Sequence, residues 1–310
     1  MTPDDLRYVE RRGAVVKDLG GEIIVLNSAT GQLILQGAAT DGGGTGYDAV
    51  ALVWLIGSLV IGVPLAIAGV RGWRLTLGSS IGLAIGVCAW AALVNNLSST
   101  GIPDLALAGI VGGFMVMGFV IGLFEFGRIA GIAALGAVGG LAIGVRVVMF
   151  RDNLLVGVYF VNWIIAGLCG LAGIIVVFLM ERFGIIILSA STGTFLTALG
   201  VDLALNKQSG MSQGLRFLFD RNSSHLAILI SNGYTPPLST KIILGVSLAL
   251  IPMLAFAQHK IFRDPFDRTP APDEPFDFAP DAVNMSQEMM VKKPGQPRVS
   301  GPGVLKSVRV

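Results

Sequence analysis

Charge is what this chain has least of. Only 14% of its 310 residues are Asp, Glu, Lys or Arg, against roughly 25% in soluble domains, so most of it cannot present a water-facing surface. The two signs nearly cancel, at net +2, and the basic residues are scattered. That excludes the basic stripe of a nucleic-acid binder. Histidine and cysteine are equally sparse, with two of each. His225 and His259 lie on opposite sides of the last apolar segment with no cysteine nearby, which leaves no ligand set for a metal. Cys88 and Cys169 sit inside apolar runs and read as small buried residues. No cofactor is expected. Catalytic pairs are missing too: Asp202 is the one clear acid deep in a late apolar segment, and His225 falls in a loop. Ser189, Ser191 and Thr192 read as small residues that satisfy helix carbonyls. We therefore expect no enzyme. The start, Met1-Thr2-Pro3-Asp4-Asp5-Leu6, shows no charged-then-apolar leader, so the first apolar helix is expected to direct insertion unless the true start lies upstream.

What the chain has in excess is apolar surface and glycine. It is 53% hydrophobic, contains 42 glycines and has a mean hydropathy of +0.73. Apolar segments of the length a bilayer core demands cover 49–70, 75–94, 105–126, 129–150, 155–180, 185–205 and 241–257. The expectation is an all-α membrane protein with about seven spans. Leu77-Gly78-Ser79-Ser80-Ile81-Gly82-Leu83-Ala84-Ile85-Gly86-Val87 returns as Leu135-Gly136-Ala137-Val138-Gly139-Gly140-Leu141-Ala142-Ile143-Gly144-Val145. Gly78, Gly82 and Gly86, and then Gly136, Gly140 and Gly144, form ladders at i, i+4 and i+8 along one helix side. Such a groove lets two helices approach closely in hydrocarbon. A third, weaker copy keeps Gly193 and drifts to Gly200. Short turns at 71–74, 126–128 and 181–183 join the spans two by two, which predicts three Gly-rich αα-hairpins and one further helix. Two-helix repeats share one orientation, which argues against an inverted-repeat transporter.

Outside the spans, residues 1–47 read as an outer tail with a small hairpin, or else no fixed structure, around Asn27-Ser28-Ala29-Thr30-Gly31. Asp41-Gly42-Gly43-Gly44-Thr45-Gly46 reads as a flexible linker. Residues 48–258 are the membrane domain. Within it the long loop 206–240 places Leu215, Leu218, Phe219, Leu226, Leu229 and Ile230 at helical spacing, as expected of a segment on the membrane surface or capping the bundle. Residues 259–310 read as a disordered cytoplasmic tail. Arg71, Arg74, Arg128 and Arg182 in the short turns favour a cytoplasmic location for that side, with the N-terminus outside. Asn222, in a sequon, is then a lumenal glycosylation acceptor.

Three stretches are familiar: Asn206-Lys207-Gln208-Ser209-Gly210-Met211, Phe219-Asp220-Arg221-Asn222-Ser223-Ser224-His225 and Ser231-Asn232-Gly233-Tyr234. With Ala68-Gly69-Val70-Arg71-Gly72-Trp73-Arg74 and Phe124-Glu125-Phe126-Gly127-Arg128, they resemble the fungal branch of a multi-pass family whose animal members include transmembrane protein 198 and seven-transmembrane superfamily member 3. The resemblance implies a seven-helix membrane domain with an outside N-terminus and no established catalytic chemistry.

Three ionisable residues at membrane depth remain. Glu125 is expected to pair locally with Arg128. Arg146 and Asp202 follow Val145 and Val201 at matching places of the second and third repeats, where the first has Cys88. They are expected to meet as a buried ion pair, or else to snorkel to the outer surface. Two functions follow from these features. One is a membrane scaffold or receptor-like protein, whose partners, beyond the bilayer, bind through the long loop or the C-terminal tail. The other is a channel or small-solute transporter that uses Arg146 and Asp202, with Asn162 and a helix break at Pro64 in support. Sidedness is tested by protease protection in sealed microsomes. Added protease is expected to remove a C-terminal tag, and a shielded tag reverses the orientation.

Overall fold

The computed structural model describes residues 9–262, apart from 12–13, 20–21, 38–40 and 45. The tail expected to be disordered lies, beyond Phe262, outside the described residues. Among these, seven helices are long and apolar enough to cross a membrane: α1 (Ala49–Ala68), α2 (Trp73–Asn96), α3 (Asp104–Leu123), α4 (Arg128–Val148), α5 (Tyr159–Leu179), α6 (Glu181–Asn206) and α9 (Leu238–Ile261). Two short helices, α7 (Met211–Phe219) and α8 (Leu226–Asn232), occupy the long loop. Asp48 caps α1, its carboxylate accepting from the Ala51 N–H at 2.9 Å. The break expected at Pro64 is absent: α1 runs through Pro64, as α9 runs through Pro252. Packing against neighbouring helices lets a membrane helix absorb the one lost donor.

Each glycine ladder is a helix contact, but not with the helix joined by the short turn. A Cβ on Gly82 would lie 2.6 Å from the Met115 carbonyl, and one on Gly122 would lie 2.6 Å from the Gly78 Cα, so α2 and α3 touch backbone to backbone. In the second repeat a Cβ on Gly136 would meet the Ile174 Cα at 2.6 Å and one on Gly144 the Ala166 Cα at 2.7 Å, joining α4 to α5. The weak third ladder faces the first helix: Gly193 abuts Ala66, and a Cβ on Gly62 would lie 2.7 Å from the Thr197 N. Helices α1 and α2 touch little, as do α3 and α4, whereas α5 and α6 stay in contact, a Cβ on Gly184 lying 2.5 Å from the Val177 Cα. The close packing expected within the first two hairpins is thus corrected. A short turn makes successive helices antiparallel, while the glycine face decides which neighbour they hold along their length. The close pairs are α2–α3, α4–α5 and α6–α1, so the last repeat closes onto the first. Helices α4 and α6 are the most buried of the seven spans, and α3 is the least. Cys88, expected to be buried, is exposed on α2.

Above the bundle the N-terminal segment folds into a three-stranded antiparallel sheet, β1 (Val9–Arg11), β2 (Ala14–Leu19) and β3 (Glu22–Asn27). The hairpin expected around Asn27 forms its fringe. The Asn27 carboxamide accepts from Ala29 and Thr30, and Ile34 N–H donates to Val25 at 2.9 Å. The pairing of β2 with β3, Val16 opposite Val25, is the larger part of the sheet. Alternation sends Ala14, Val16 and Val25 to one face, where they pack on Leu226 and Ile230 of α8.

The glycine-rich segment after the sheet is held, not loose. Trp54 of α1 and Trp90 of α2 donate their indole N–H groups to the carbonyls of Gly42 and Asp41, at 2.6 and 2.7 Å. Gly42 N–H donates to Asp104 of α3 at 3.1 Å, and Gln208 donates to the Gly43 carbonyl at 2.6 Å. Gly42 and Gly44 have φ near +70°, where a side chain is strained.

The glycine contacts give a sharp contrast. Gly140 abuts the Cys169 carbonyl, whereas Gly109 of α3 has nothing within 4 Å of a built Cβ. Gly140→Leu is expected to cost about 1–3 kcal/mol or more of stability in detergent, and Gly109→Leu less than about 0.5. Equal thermal unfolding of both variants would show that the ladder is not a contact.

Candidate functional site

The polar groups of the bundle gather in two layers, and both include the last span. In the deeper one Arg146, in the last turn of α4, is fully buried. Its Nε donates to Ser247 Oγ of α9 at 3.0 Å. Nη1 donates to the Ala142 carbonyl at 3.0 Å and to Ser191 Oγ at 3.5 Å. Nη2 donates to the Ser191 carbonyl at 2.9 Å and to Thr194 Oγ1 at 2.8 Å. The guanidinium also lies 5.1 Å from the Phe195 ring centre. All five N–H donors are therefore engaged, with acceptors on α4, α6 and α9. Ser189 and Thr192 bond carbonyls of their own helix as expected, whereas Ser191 donates across to Gly139 of α4 at 2.7 Å.

The upper layer is built on Asp202 of α6, also fully buried. Its carboxylate accepts from Thr240 Oγ1 at 2.6 Å, from Asn206 Nδ2 at 2.8 Å and from the Met211 N–H. Every residue of the stretch 206–211 is used here. Asn206 also accepts from Ser239 at 2.6 Å, Lys207 turns the chain at φ +54°, and Ser209 donates to the Asn206 carbonyl at 2.6 Å. Gln208 reaches the glycine segment. At Gly210 a Cβ would collide with the Asp202 carboxylate.

The expected pair between Arg146 and Asp202 does not form. Among the described residues no carboxylate pairs with Arg146. The two sites use Ser247 and Thr240 of α9, seven residues and therefore about 10 Å apart along that helix. Neither side chain snorkels, since both are buried. Nor do Glu125 and Arg128 pair: Glu125 meets Arg74 at the start of α2, 3.5 Å away and well exposed, an arrangement worth about 0–1 kcal/mol. Asn162 is buried and satisfied locally, accepting from Val156 N–H at 3.0 Å and donating to its carbonyl at 2.7 Å. The polar residues that sequence reasoning missed are Thr240, Ser247 and Gln258, all on the buried face of α9. Gln258 donates to the Ala66 carbonyl at 2.8 Å and accepts from Val70 N–H at 3.3 Å. Their common helix face inside an apolar span was the available signal.

The loop motifs act as clamps. Asp220 and His225 form a buried contact, Nδ1 to Oδ2 at 2.8 Å, and Arg221 lies 3.5 Å from the Tyr159 ring centre. Asn222 is buried, its Nδ2 donating to the carbonyls of Val94 at 3.1 Å and Leu97 at 2.6 Å, where α2 ends. A glycan is attached through that same nitrogen, so in the folded chain Asn222 is a structural clamp, not an open acceptor. Tyr234 is buried below Gly233, its hydroxyl donating to the Met149 carbonyl at 2.9 Å. Burial, reinforced by Asp202 and Asp152, raises that hydroxyl well above the usual tyrosine range. Burial likewise raises the Asp41 carboxyl against the opposing pull of Arg216.

A family model of the TM7S3/TM198-like domain matches residues 55–259, from within α1 to within α9. No curated protein matches the chain, and no solved structure does.

The separation of the two layers predicts independence. Arg146→Gln and Asp202→Asn each leave buried polar groups unpaired and are each expected to lower stability by about 1–3 kcal/mol per orphaned group. Combined, they should add to within about 0.5 kcal/mol. Rescue by the charge swap Arg146→Asp with Asp202→Arg, read by thermal unfolding, would contradict the geometry.

Proposed function

Because the chain belongs to the TM7S3/TM198-like family, we propose that this multi-pass membrane protein is a scaffold or receptor-like interaction protein. In this reading the bundle presents its folded cap as a surface for other proteins. The supporting observation is that the ionisable groups at membrane depth are consumed by the fold. Arg146 spends all five donors on protein acceptors, and Asp202 is enclosed by Thr240, Asn206 and Met211. A transport site would keep such groups available to a solute. The cap supports the same reading, since the sheet, α7, α8 and the glycine segment are bonded into one unit over the end of the bundle. Its partners would be proteins that meet this cap or the tail, and no substrate is converted.

One observation favours a channel or small-solute transporter instead. The Arg146 guanidinium has hydroxyl and carbonyl partners but no carboxylate among the described residues, which leaves a buried cation in the bundle. Flux in proteoliposomes separates the two. Chloride, potassium and small-solute leak are expected to equal that of protein-free vesicles, for wild type and Asp202→Asn alike. Flux above that level, abolished by Arg146→Gln, would replace the scaffold reading.

A further inference from the structure

The end of the bundle opposite the cap carries its charge in an unusual place. Helices α2, α4 and α6 run parallel, because an antiparallel span separates each from the next, and all three begin at this end. Each begins with arginine: Arg74 is the second residue of α2, Arg128 the first of α4 and Arg182 the second of α6. Helix starts carry the positive end of the peptide dipole and favour anions. None of these three starts has a capping side chain, and α2 and α4 have no acid in their first turn.

The arginines form one rim. Arg74 reaches Glu125 in the turn before α4 at 3.5 Å. Arg71, in the same turn as Arg74, lies over the Phe262 ring at 5.9 Å, and Arg182 Nη2 donates to the Phe262 carbonyl at 2.7 Å. Among the described residues of these turns, four arginines thus stand against two carboxylates, Glu125 and Glu181. Arg128 has no ion pair among the described residues, and the buried Nε of Arg182 has no acceptor there. Directly below, the same turns expose Leu75, Phe126, Ile129, Leu179 and Phe183, so the rim continues into the lipid-facing surface of the spans.

We propose that this rim is a docking surface for anionic phospholipid headgroups, with lipid phosphates seated among Arg74, Arg128 and Arg182 at the three uncapped helix starts. Phosphate supplies the acceptors that arginine forks and free helix N–H groups lack. The apolar belt beside the rim takes the acyl chains, and this selects a lipid over a soluble phosphate. The bound headgroups complete the electrostatics of the bundle: they compensate arginines that oppose the helix dipoles and hold the three inner helix starts together.

The test uses the full chain in nanodiscs of phosphatidylcholine alone or with phosphatidylserine. Lipid retention is read by native mass spectrometry and stability by thermal unfolding. Phosphatidylserine is expected to be retained and to raise the unfolding temperature, and inorganic phosphate is expected to do neither. Arg74→Gln and Arg128→Gln should each lower retention about fivefold, while Arg151→Gln, an equal charge loss at the opposite end, should leave it unchanged. These variants are preferred to Arg182→Gln, which also breaks the bond to Phe262. Retention unaffected by Arg74→Gln and Arg128→Gln, an equal loss with Arg151→Gln, or the same stabilisation by inorganic phosphate would each overturn the proposal.

Discussion

Helices in hydrocarbon are not pushed together by water, so they adhere only as well as their surfaces touch. That constraint explains the glycines. Dispersion falls away over fractions of an ångström, and a surface without side chains lets peptide groups of one helix lie against those of the next. The Gly78–Gly122, Gly136–Ile174 and Gly62–Thr197 contacts are three instances of one solution. Everything larger follows from them: the inner helices carry the ladders, and each outer helix is bound by the ladder that faces it.

Polar groups then divide by whether the fold can satisfy them. Arg146 would be ruinous in a bundle of leucines, yet it sits among Ser191, Thr194 and Ser247 with every donor used. The same holds for Asp202 one layer higher. Both depend on α9, which stands outside the repeat and contributes hydroxyls at two depths and an amide at a third. The seventh span is therefore a polar seam laid across a structure that the glycine contacts define.

The spans were legible to within a few residues, because length and hydropathy alone set them. The ladders were legible as contact faces. Their partners were not, since spacing at i, i+4 and i+8 identifies a side of a helix and says nothing of what lies across it. The same limit undid the Arg146–Asp202 pair. Equivalent places in a repeat suggest equal depth, but each group finds its own partners nearby, Arg146 on α4, α6 and α9 and Asp202 on α6, α7 and α9, and α9 is a helix the repeat does not contain. Asp41-Gly42-Gly43-Gly44 was misread for another reason: glycine marks backbone freedom in a loose linker and positive φ in a held one. Of the tryptophans that hold it, Trp54 lies on the next helix, 12 residues on from Gly42, and Trp90 is 49 residues from Asp41. The loop motifs could be recognised before they could be explained, because Gly210 and Asn222 make sense only beside Asp202 and the end of α2.

The contact of α6 with α1 has a consequence for biogenesis. A chain entering the membrane from its N-terminus can bury the α2–α3 and α4–α5 surfaces as soon as each later helix arrives. The groove at Gly62 and Ala66 of α1 must wait until some 130 further residues have been inserted. Through that interval this face of the first helix has no helix partner, and only the arrival of Gly193 covers it. The pairing of α6 with α1 is thus the latest of the three glycine contacts to form, and α9 follows it.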